Sequence, residues 1–388
     1  MTKFRLNIDY PFEQMELNKK RIQAWNQFQY VDRVPVGFCL EPRYFTPIFG
    51  IHYKEIFKDA QSQYYWLLQC AKYRIENIPE DIFCQSPTIA VSPYFDNVPI
   101  SNAFGAKIAW KDNEPPQSCP TIKTIEEMDS LEIPAPDAGL WPKIIDWWLQ
   151  MKQFAGETEI TFNGIAGEIK VFGPSAAGIG PFTIAVDLIG EDFYWWIVEY
   201  PEKCHDFLAK ITKGLIQAEE HFRKLDTEPH NCFGIAEDSA QIISADMFKE
   251  FCVPYANTLY ERLGKGRDNG RGMHMCGNSE HLHKSLVEDL KISSFDVFGF
   301  PVKPSVVAQN LGGKTRLWGN INPMLMKDGT KDEVKAAAME CLTQLAPYGG
   351  FMLGDGANVC PGTPLENLAI VMKASEEYGL PRVKGTPG

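Results

Sequence analysis

Basic blocks and long apolar runs are both missing from this sequence. Lysine and arginine number 38 against 50 aspartates and glutamates, a formal net charge of −12 at pH 7. A chain with this acidic balance does not attract a phosphate backbone or an anionic membrane surface. No apolar run reaches the length of a membrane span, and the first nine residues lack the apolar segment of a signal peptide. We therefore expect a cytoplasmic protein without nucleic-acid or membrane partners.

A disulfide framework, low-complexity segments and internal repeats are also missing. The ten cysteines are scattered along 388 residues, a distribution typical of reduced thiols. The sequence is 44% hydrophobic, which is ample for one large core. We expect a single domain covering residues 1–388.

Two segments carry residues that could bind a metal ion. His274 and Cys276 lie two positions apart in the glycine-containing segment 272–277, and Cys360 lies far downstream in the segment 354–362. An imidazole and two thiolates are a zinc ligand set, and three protein ligands leave a fourth position for a substrate. The alternative is that the cysteines are small buried apolar residues, as cysteines often are.

The C-terminal half alternates between short apolar runs and helical patterns. Strands are predicted at 231–238, 272–276, 294–298, 315–319 and 350–354. Helices are predicted at 244–263, 278–290, 305–310, 331–345 and 364–378. Five strand-then-helix units in series predict a parallel sheet with right-handed crossovers. We expect an α/β fold, the (β/α)8 TIM barrel, with an open doubly wound sheet as the main alternative.

The first half predicts the rest of the barrel less clearly. Weaker strands are expected at 35–39, 160–163 and 169–172, after an N-terminal helical extension at 12–28. Residues 79–136 are rich in proline, glycine and polar residues, and we interpret them as an insertion with some β-structure near the barrel mouth.

Several further residues fall at predicted strand ends, where TIM barrels build their active sites. Glu237 and Asp238 end one strand and are candidates for catalysis, as a fourth zinc ligand or as an acceptor from His274; a loop role in capping the next helix is the alternative. The residues expected to line a substrate pocket are Tyr255, Phe298, Trp318, Asn320 and Asp355.

The chain resembles the uroporphyrinogen decarboxylase superfamily, and specifically its zinc-dependent, corrinoid-linked methyltransferases. The segments that carry the resemblance are 32–36 (DRVPV), 104–106 (FGA), 124–127 (TIEE), 134–137 (PAPD), 173–174 (GP), 180–182 (GPF), 190–193 (GEDF), 237–238 (ED), 244–248 (SADMF), 254–255 (PY) and 363–367 (TPLEN). The resemblance implies a (β/α)8 barrel in which His274, Cys276 and Cys360 bind Zn²⁺. It also implies a corrinoid (cobalamin) carried by a partner, a corrinoid-binding protein.

The resemblance leaves the substrate open. The 14 tyrosines and 9 tryptophans lead us to favour O-demethylation of an aryl methyl ether, a methoxylated aromatic. One alternative is a methylcobalamin:thiol methyltransferase of the coenzyme M type. A second is a tetrapyrrole decarboxylase, although segment 37–44 (GFCLEPRY) lacks the arginine-rich stretch of that branch. A third is a non-catalytic barrel that docks a corrinoid protein. The oligomeric state is open, with a homodimer as the candidate.

Overall fold

Short parallel strands form the centre of the structure, a computed structural model that describes residues 4–82, 87–226, 233–264 and 270–384. The strands are β1 Arg5–Ile8, β2 Thr88–Val91, β3 Lys107–Ala109, β4 Gln117–Cys119, β5 Glu159–Phe162, β6 Ile165–Ala166, β7 Glu168–Val171, β8 Gly178–Ile179, β9 Phe233–Ala236, β10 Arg271–His274, β11 Ser294–Asp296, β12 Arg316–Ile321 and β13 Phe351–Asp355.

Helices follow most of these strands. The α-helices are α1 Phe12–Asn26, α2 Pro42–Phe49, α3 Ala60–Asn77, α4 Val98–Ala103, α5 Ile125–Asp129, α6 Trp141–Glu157, α7 Pro181–Ile189, α8 Asp192–Glu199, α9 Pro201–Leu225, α10 Ala245–Phe251, α11 Val253–Leu263, α12 His283–Glu288, α13 Pro304–Leu311, α14 Pro323–Asp328, α15 Lys331–Leu345 and α16 Leu365–Tyr378. Short 3₁₀ helices span Tyr53–Phe57, Asp238–Ile242, Glu280–Leu282 and Ala346–Tyr348.

The sheet pairings are those of a TIM barrel. Strands β8 to β13 form a parallel sheet in chain order, and β2 pairs in parallel with β7. Val36 makes a parallel bridge to Leu353 of β13. This bridge joins the last strand to the first barrel segment and so closes the ring. The predicted (β/α)8 barrel is therefore confirmed, and the carboxyl ends of its strands share one face.

The strands of the second half alternate between buried apolar and smaller residues. In β9, Phe233 and Ile235 are buried, whereas Gly234 and Ala236 are partly exposed. Buried positions of this kind pack under the surrounding helices. A Cβ at Gly272 would lie 3.3 Å from the Cα of Gly234, so these glycines keep the neighbouring strands free of bulk on one face.

In place of the single helix predicted at 244–263 there are two helices, α10 and α11, which are separated at Cys252. Pro254 lies in the first turn of α11, where its missing N–H needs no partner. Thr330 and Glu333 form the capping box that begins α15.

The interpretation of residues 79–136 as an insertion needs correction. The segment contains β2, a strand of the ring that pairs with β7 from Thr88↔Glu168 to Val91↔Val171. Only the part after β2, with α4, the β3–β4 hairpin and α5, departs from the barrel. The predicted strand at 160–163 is also placed differently, since β5 pairs with β1 and β6 in a separate small sheet.

A buried ion network ties α1 to the first barrel segment. The Asp81 carboxylate, with 0% exposure, accepts from both Arg21 and Arg33 and from the N–H of Val36. This network positions the segment that leads into the loop at 37–42. Among the described residues, no helix combines the length and apolar character needed to cross a membrane.

Candidate metal centre

Three potential metal ligands meet where β9 and β10 end. His274 is the last residue of β10 and pairs in register with Ala236 of β9. Asp238 follows two residues after Ala236, and Cys276 follows two residues after His274. One donor atom from each of the three side chains lies within 4.8 Å of the others. The parallel register therefore brings together residues that are far apart in the sequence.

Asp238 is the common partner in this cluster. Its Oδ1 accepts from the backbone N–H of Cys276 at 2.9 Å and lies 3.3 Å from Cys276 Sγ. The same oxygen lies 3.7 Å from His274 Nε2. His274 Nδ1 lies 3.0 Å from the carbonyl oxygen of Asp296, which can only accept, so Nδ1 carries the proton. The Nε2 lone pair then faces the cluster, as in a neutral histidine ligand.

The protonation of Cys276 reflects these neighbours. Burial, and then the charge of Asp238, raise the pKa of the Cys276 thiol to about 12. A divalent cation reverses this effect, because a coordinating thiol is deprotonated. One imidazole nitrogen, one sulfur and one carboxylate oxygen are ligand types that zinc accepts. The donor set therefore fits Zn²⁺.

Cys360 lies outside this three-residue cluster. It is partly exposed in the loop after β13, and its Sγ lies 3.7 Å from Met324 Sδ. Its carbonyl accepts from the N–H and the hydroxyl of Thr363, which anchors the loop. The role of Cys360 as a metal ligand stays a prediction.

Glu237 has a different environment from its neighbour Asp238. It is fully buried and accepts from the N–H groups of Phe182 and Thr183, at 3.2 and 2.9 Å, and from the Thr183 hydroxyl. These are donors at the start of α7, where a carboxylate is favourable. Burial raises the pKa of Glu237 to about 7, although these hydrogen bonds oppose the rise. The structure places Glu237 as a capping group of α7, a helix that precedes it in the chain, whereas the alternative noted from the sequence had it cap the next helix.

Two predicted pocket residues are buried at the ends of strands. Asp355 Oδ1 accepts from the N–H of Cys39 at 2.9 Å, and its Oδ2 has no hydrogen-bond partner among the described residues. Burial raises the pKa of Asp355 well above its ordinary value. Asn320 Nδ2 donates to the carbonyls of Gly299 and Val302, which fixes the loop after β11.

The three predicted aromatic pocket residues lie in different places. Trp318 is partly exposed on β12, and its Nε1 donates to the carbonyl of Gly37 at 2.9 Å. Phe298 is fully buried after β11. Tyr255 is on α11, not at a strand end, and its hydroxyl contacts His205 of α9. The structure thus does not bring Tyr255 to the metal centre.

Cys39 is a further residue at the barrel mouth that the sequence did not indicate as a site residue. It follows Val36 at the barrel mouth and is partly exposed, and its Sγ lies 3.1 Å from Asn358 Oδ1. Burial, and then the charge of Asp355, raise the pKa of this thiol. The one feature of the sequence that could have indicated a site role is that Cys39 ends the strand predicted at 35–39.

Comparison with known proteins places the chain among related barrels. Residues 89–378 match the family model described as Uroporphyrinogen decarboxylase (URO-D). A methylated-thiol–coenzyme M methyltransferase of Methanosarcina mazei is 27% identical over 301 residues, 76% of this chain and 74% of the relative. A methylcobamide:CoM methyltransferase of Methanosarcina barkeri is 25% identical over 207 residues, 51% of this chain and 56% of the relative.

A more distant relative and a solved structure extend the comparison. A uroporphyrinogen decarboxylase of Xanthomonas euvesicatoria is 22% identical over 382 residues, 92% of this chain and 97% of the relative. A solved structure described as a methyltransferase from Methanosarcina mazei superposes with a TM-score of 0.66 at 19% identity. It covers 93% of this chain and 99% of the other, and at this identity it supports the fold alone.

Proposed function

Because the chain belongs to the uroporphyrinogen decarboxylase (URO-D) family, we propose that it is a methyltransferase that moves a methyl group between a small substrate and the cobalt of a corrinoid protein. The observation that carries this proposal is the cluster of Asp238, His274 and Cys276 at the barrel mouth. The two relatives named as methyltransferases support it, since their names specify coenzyme M and, for one of them, methylcobamide.

We propose that Asp238, His274 and Cys276 hold Zn²⁺, with Cys360 as a further ligand. Bound zinc supplies Lewis acidity, which lowers the pKa of a thiol or stabilises the charge on a departing sulfur or oxygen. The carbonyl of Asp296 orients the His274 ring for this role. Asp238 keeps the loops after β9 and β10 together through the N–H of Cys276.

The residues beside the cluster carry small side chains or none. Gly234, Ala236 and Gly272 are small and partly exposed next to His274 in the sheet. A substrate in this space would have its reacting atom close to the ligands. The neighbouring strand positions carry few bulky side chains that would displace such a substrate.

A thiol is the better supported methyl acceptor. The two relatives named as methyltransferases have a methylated thiol or coenzyme M in their names, whereas the preference for an aryl methyl ether depends on aromatic content. That content serves mainly the core, as Tyr64, Phe162, Phe182 and Phe207 illustrate. We therefore place thiol methylation first and aryl ether O-demethylation second.

The tetrapyrrole decarboxylase alternative meets an electrostatic objection. A tetrapyrrole with many carboxylate side chains needs cationic partners, but carboxylates follow several barrel strands at the mouth. These are Asp96, Asp238 and Asp296. Like charges oppose binding of such a substrate.

A partner that presents the corrinoid must dock over the same face. Three exposed apolar side chains lie in the segments after β9, β11 and β12, namely Ile242, Phe300 and Met324. Exposed apolar side chains at a mouth are suited to contact with another protein. We propose that they contribute to the docking surface for a corrinoid-binding protein.

Spectroscopy of the corrinoid tests the proposal. The zinc-loaded protein is mixed with methylcob(III)alamin and a panel of thiols, and loss of the methyl–cobalt absorbance is recorded. The reverse reaction uses cob(I)alamin with methyl thioethers and methoxyarenes. We expect transfer to thiols that is lost in Cys276→Ser and kept in Cys119→Ser, a partly exposed cysteine on β4. Transfer from methoxyarenes alone would favour O-demethylation, and no transfer in any arm would contradict the proposal.

A further inference from the structure

Two partly exposed cysteines lie on neighbouring segments at the barrel mouth. Cys39 follows the first barrel segment, and Cys360 lies in the loop after β13. The Cys39 carbonyl accepts a hydrogen bond from the N–H of Val359 at 3.0 Å. The N–H of Cys39 in turn donates to Asp355 Oδ1 at 2.9 Å. The backbone of Cys39 is therefore fixed against the residue that directly precedes Cys360.

The two thiols lie on the same side of the segment 358–360. Cys39 Sγ lies 3.1 Å from Asn358 Oδ1, which can only accept, so the thiol of Cys39 donates to it. Burial alternates along this segment, since Asn358 is exposed, Val359 is buried and Cys360 is partly exposed. Such alternation places residues two apart on one side. Cys360 therefore shares the side of Asn358, towards which the Cys39 thiol points.

The remaining cysteines of the described residues are placed differently. Cys119 is partly exposed in the β3–β4 hairpin, which departs from the barrel. Cys276 is held by Asp238 through its N–H. The other described cysteines are buried, namely Cys70, Cys204, Cys252 and Cys341. Cys39 is thus the thiol whose own backbone is bonded to the segment of Cys360.

We propose that Cys39 and Cys360 are an oxidative modification site and form a reversible disulfide that switches the metal centre. Cys360 Sγ contacts Met324 Sδ at 3.7 Å, so this side chain has to turn to reach Cys39. The disulfide withdraws Cys360 from the zinc, which lowers zinc affinity and stops methyl transfer. This effect rests on the proposed function, in which Cys360 is a ligand, whereas formation of the disulfide does not.

A peroxide supplies the oxidising equivalents. The Cys360 thiolate attacks one oxygen of hydrogen peroxide, the O–O bond breaks and hydroxide leaves, which gives a sulfenic acid on Cys360. The sulfur of Cys39 then attacks Cys360 Sγ, the S–O bond breaks, and the departing hydroxide takes the thiol proton of Cys39 as water. The proton lost by Cys360 converts the first hydroxide to water. Two thiols are thereby oxidised to one disulfide, and one hydrogen peroxide is reduced to two waters.

The surroundings of Cys39 suit it to the second of these steps. Burial, and then the charge of Asp355, raise the pKa of the Cys39 thiol, so little thiolate forms there near neutral pH. Attack on a sulfur of the neighbouring segment gains from proximity, which offsets the weaker nucleophile. Cys360 is therefore the residue that meets the oxidant, and Cys39 is the residue that resolves the sulfenic acid.

Peptide mapping after oxidation is the first test. The full chain, zinc-loaded or treated with a chelator, is exposed to a small excess of hydrogen peroxide. Free thiols are then alkylated, and unreduced digests are analysed by mass spectrometry. We expect a linked peptide pair that holds Cys39 and Cys360 in the wild type and in the control Cys119→Ser. A link in neither sample, or a link of Cys360 to Cys276 in its place, would overturn the inference.

Zinc affinity before and after oxidation tests the switch itself. Competition with a chromophoric chelator measures it, and a phosphine reductant reverses the oxidation. We expect the affinity of the oxidised wild type to fall by at least about tenfold, the smallest loss expected when a metal site is disturbed, and to return on reduction. Cys39→Ser should keep its affinity through the same treatment. An equal loss in Cys39→Ser, or an unchanged affinity in a chain that holds the disulfide, would overturn the switch.

Turnover separates this inference from the proposed function. The reduced and the oxidised zinc-loaded chains are each offered methylcob(III)alamin and a panel of thiols. Methylation by the reduced chain that is lost on oxidation and regained on reduction supports both proposals. Equal methylation by both forms overturns the switch but keeps the methyltransferase. No methylation by the reduced chain counts against the methyltransferase alone, because peptide mapping decides the disulfide without catalysis.

Discussion

Asp238 Oδ1 accepts a hydrogen bond from the backbone N–H of Cys276 at 2.9 Å, across the ends of two neighbouring barrel strands. This contact holds a carboxylate, a thiol and the imidazole of His274 in one place before any ion arrives. A ligand set that is already assembled loses little conformational freedom on binding a cation. The arrangement therefore explains how Asp238 could join His274 and Cys276, from which it is remote in sequence, in one metal site.

Replacing Asp238 tests this arrangement. Asp238→Asn keeps an oxygen for the N–H of Cys276 but removes the negative charge, so zinc affinity should fall by roughly 10- to 100-fold. Competition with a chromophoric chelator measures it. Asp246→Asn, an exposed carboxylate in α10, should bind zinc like the wild type. Unchanged affinity in Asp238→Asn would remove Asp238 from the metal site.

Glu237 should behave as a structural group. In Glu237→Gln, the side-chain amide would face N–H donors at the start of α7, so the free energy of unfolding should fall by about 1–3 kcal/mol. Urea denaturation measures this fall, and zinc content should remain at the wild-type level. Full stability together with lost methyl transfer would instead make Glu237 a catalytic residue.

The Asp81 network should dominate the stability of the N-terminal region. Asp81→Asn removes the carboxylate that pairs with both Arg33 and Arg21 and leaves Arg21 with Asp32, which should cost about 3–5 kcal/mol. Chemical denaturation gives the value. Asp112→Asn removes an exposed pair with Lys54 and should change stability by less than about 1 kcal/mol. A similar small change in both variants would refute this view of the network.

The buried histidine of α12 should make the protein less stable in mild acid. Burial lowers the pKa of His283 to about 4, below its ordinary value in the unfolded chain, so the unfolded state binds more protons between these two values. The contribution of His283 to the free energy of unfolding is therefore complete above about pH 6.5 and is lost as the pH falls towards 4. Between pH 7.5 and pH 5 the free energy of unfolding should fall by about 2 kcal/mol.

Unfolding free energies at these two pH values check the assignment. His283→Gln should lose that part of the pH dependence, whereas His52→Gln, on an exposed histidine, should keep it. The same pH dependence in His283→Gln as in the wild type would contradict the prediction.

The second half of the fold is predictable because its strands are short apolar runs next to glycines. Predicted strands at 294–298 and 350–354 overlap β11 and β13. The first half is harder, since β2 has four residues and lies within a proline-rich stretch. Val36 contributes one isolated bridge, so that segment lacks the length from which alternation could be recognised.

The site was predictable only in part, for geometric reasons. The spacing of His274 and Cys276 marks one half of it, but the register of β9 against β10 decides that Asp238 joins them. Adjacent residues at a strand end point in opposite directions, so sequence could not separate Glu237 from Asp238.

X-ray absorption at the zinc edge tests the central claim most directly. The account predicts about one zinc per chain in the wild-type protein, with mixed sulfur and nitrogen or oxygen ligands. One sulfur ligand should be lost in Cys276→Ser. A second should be lost in Cys360→Ser, because we propose that Cys360 in the loop after β13 also binds the zinc. A protein that binds no zinc, or a zinc whose sulfur ligands are all retained in Cys276→Ser, would contradict the account.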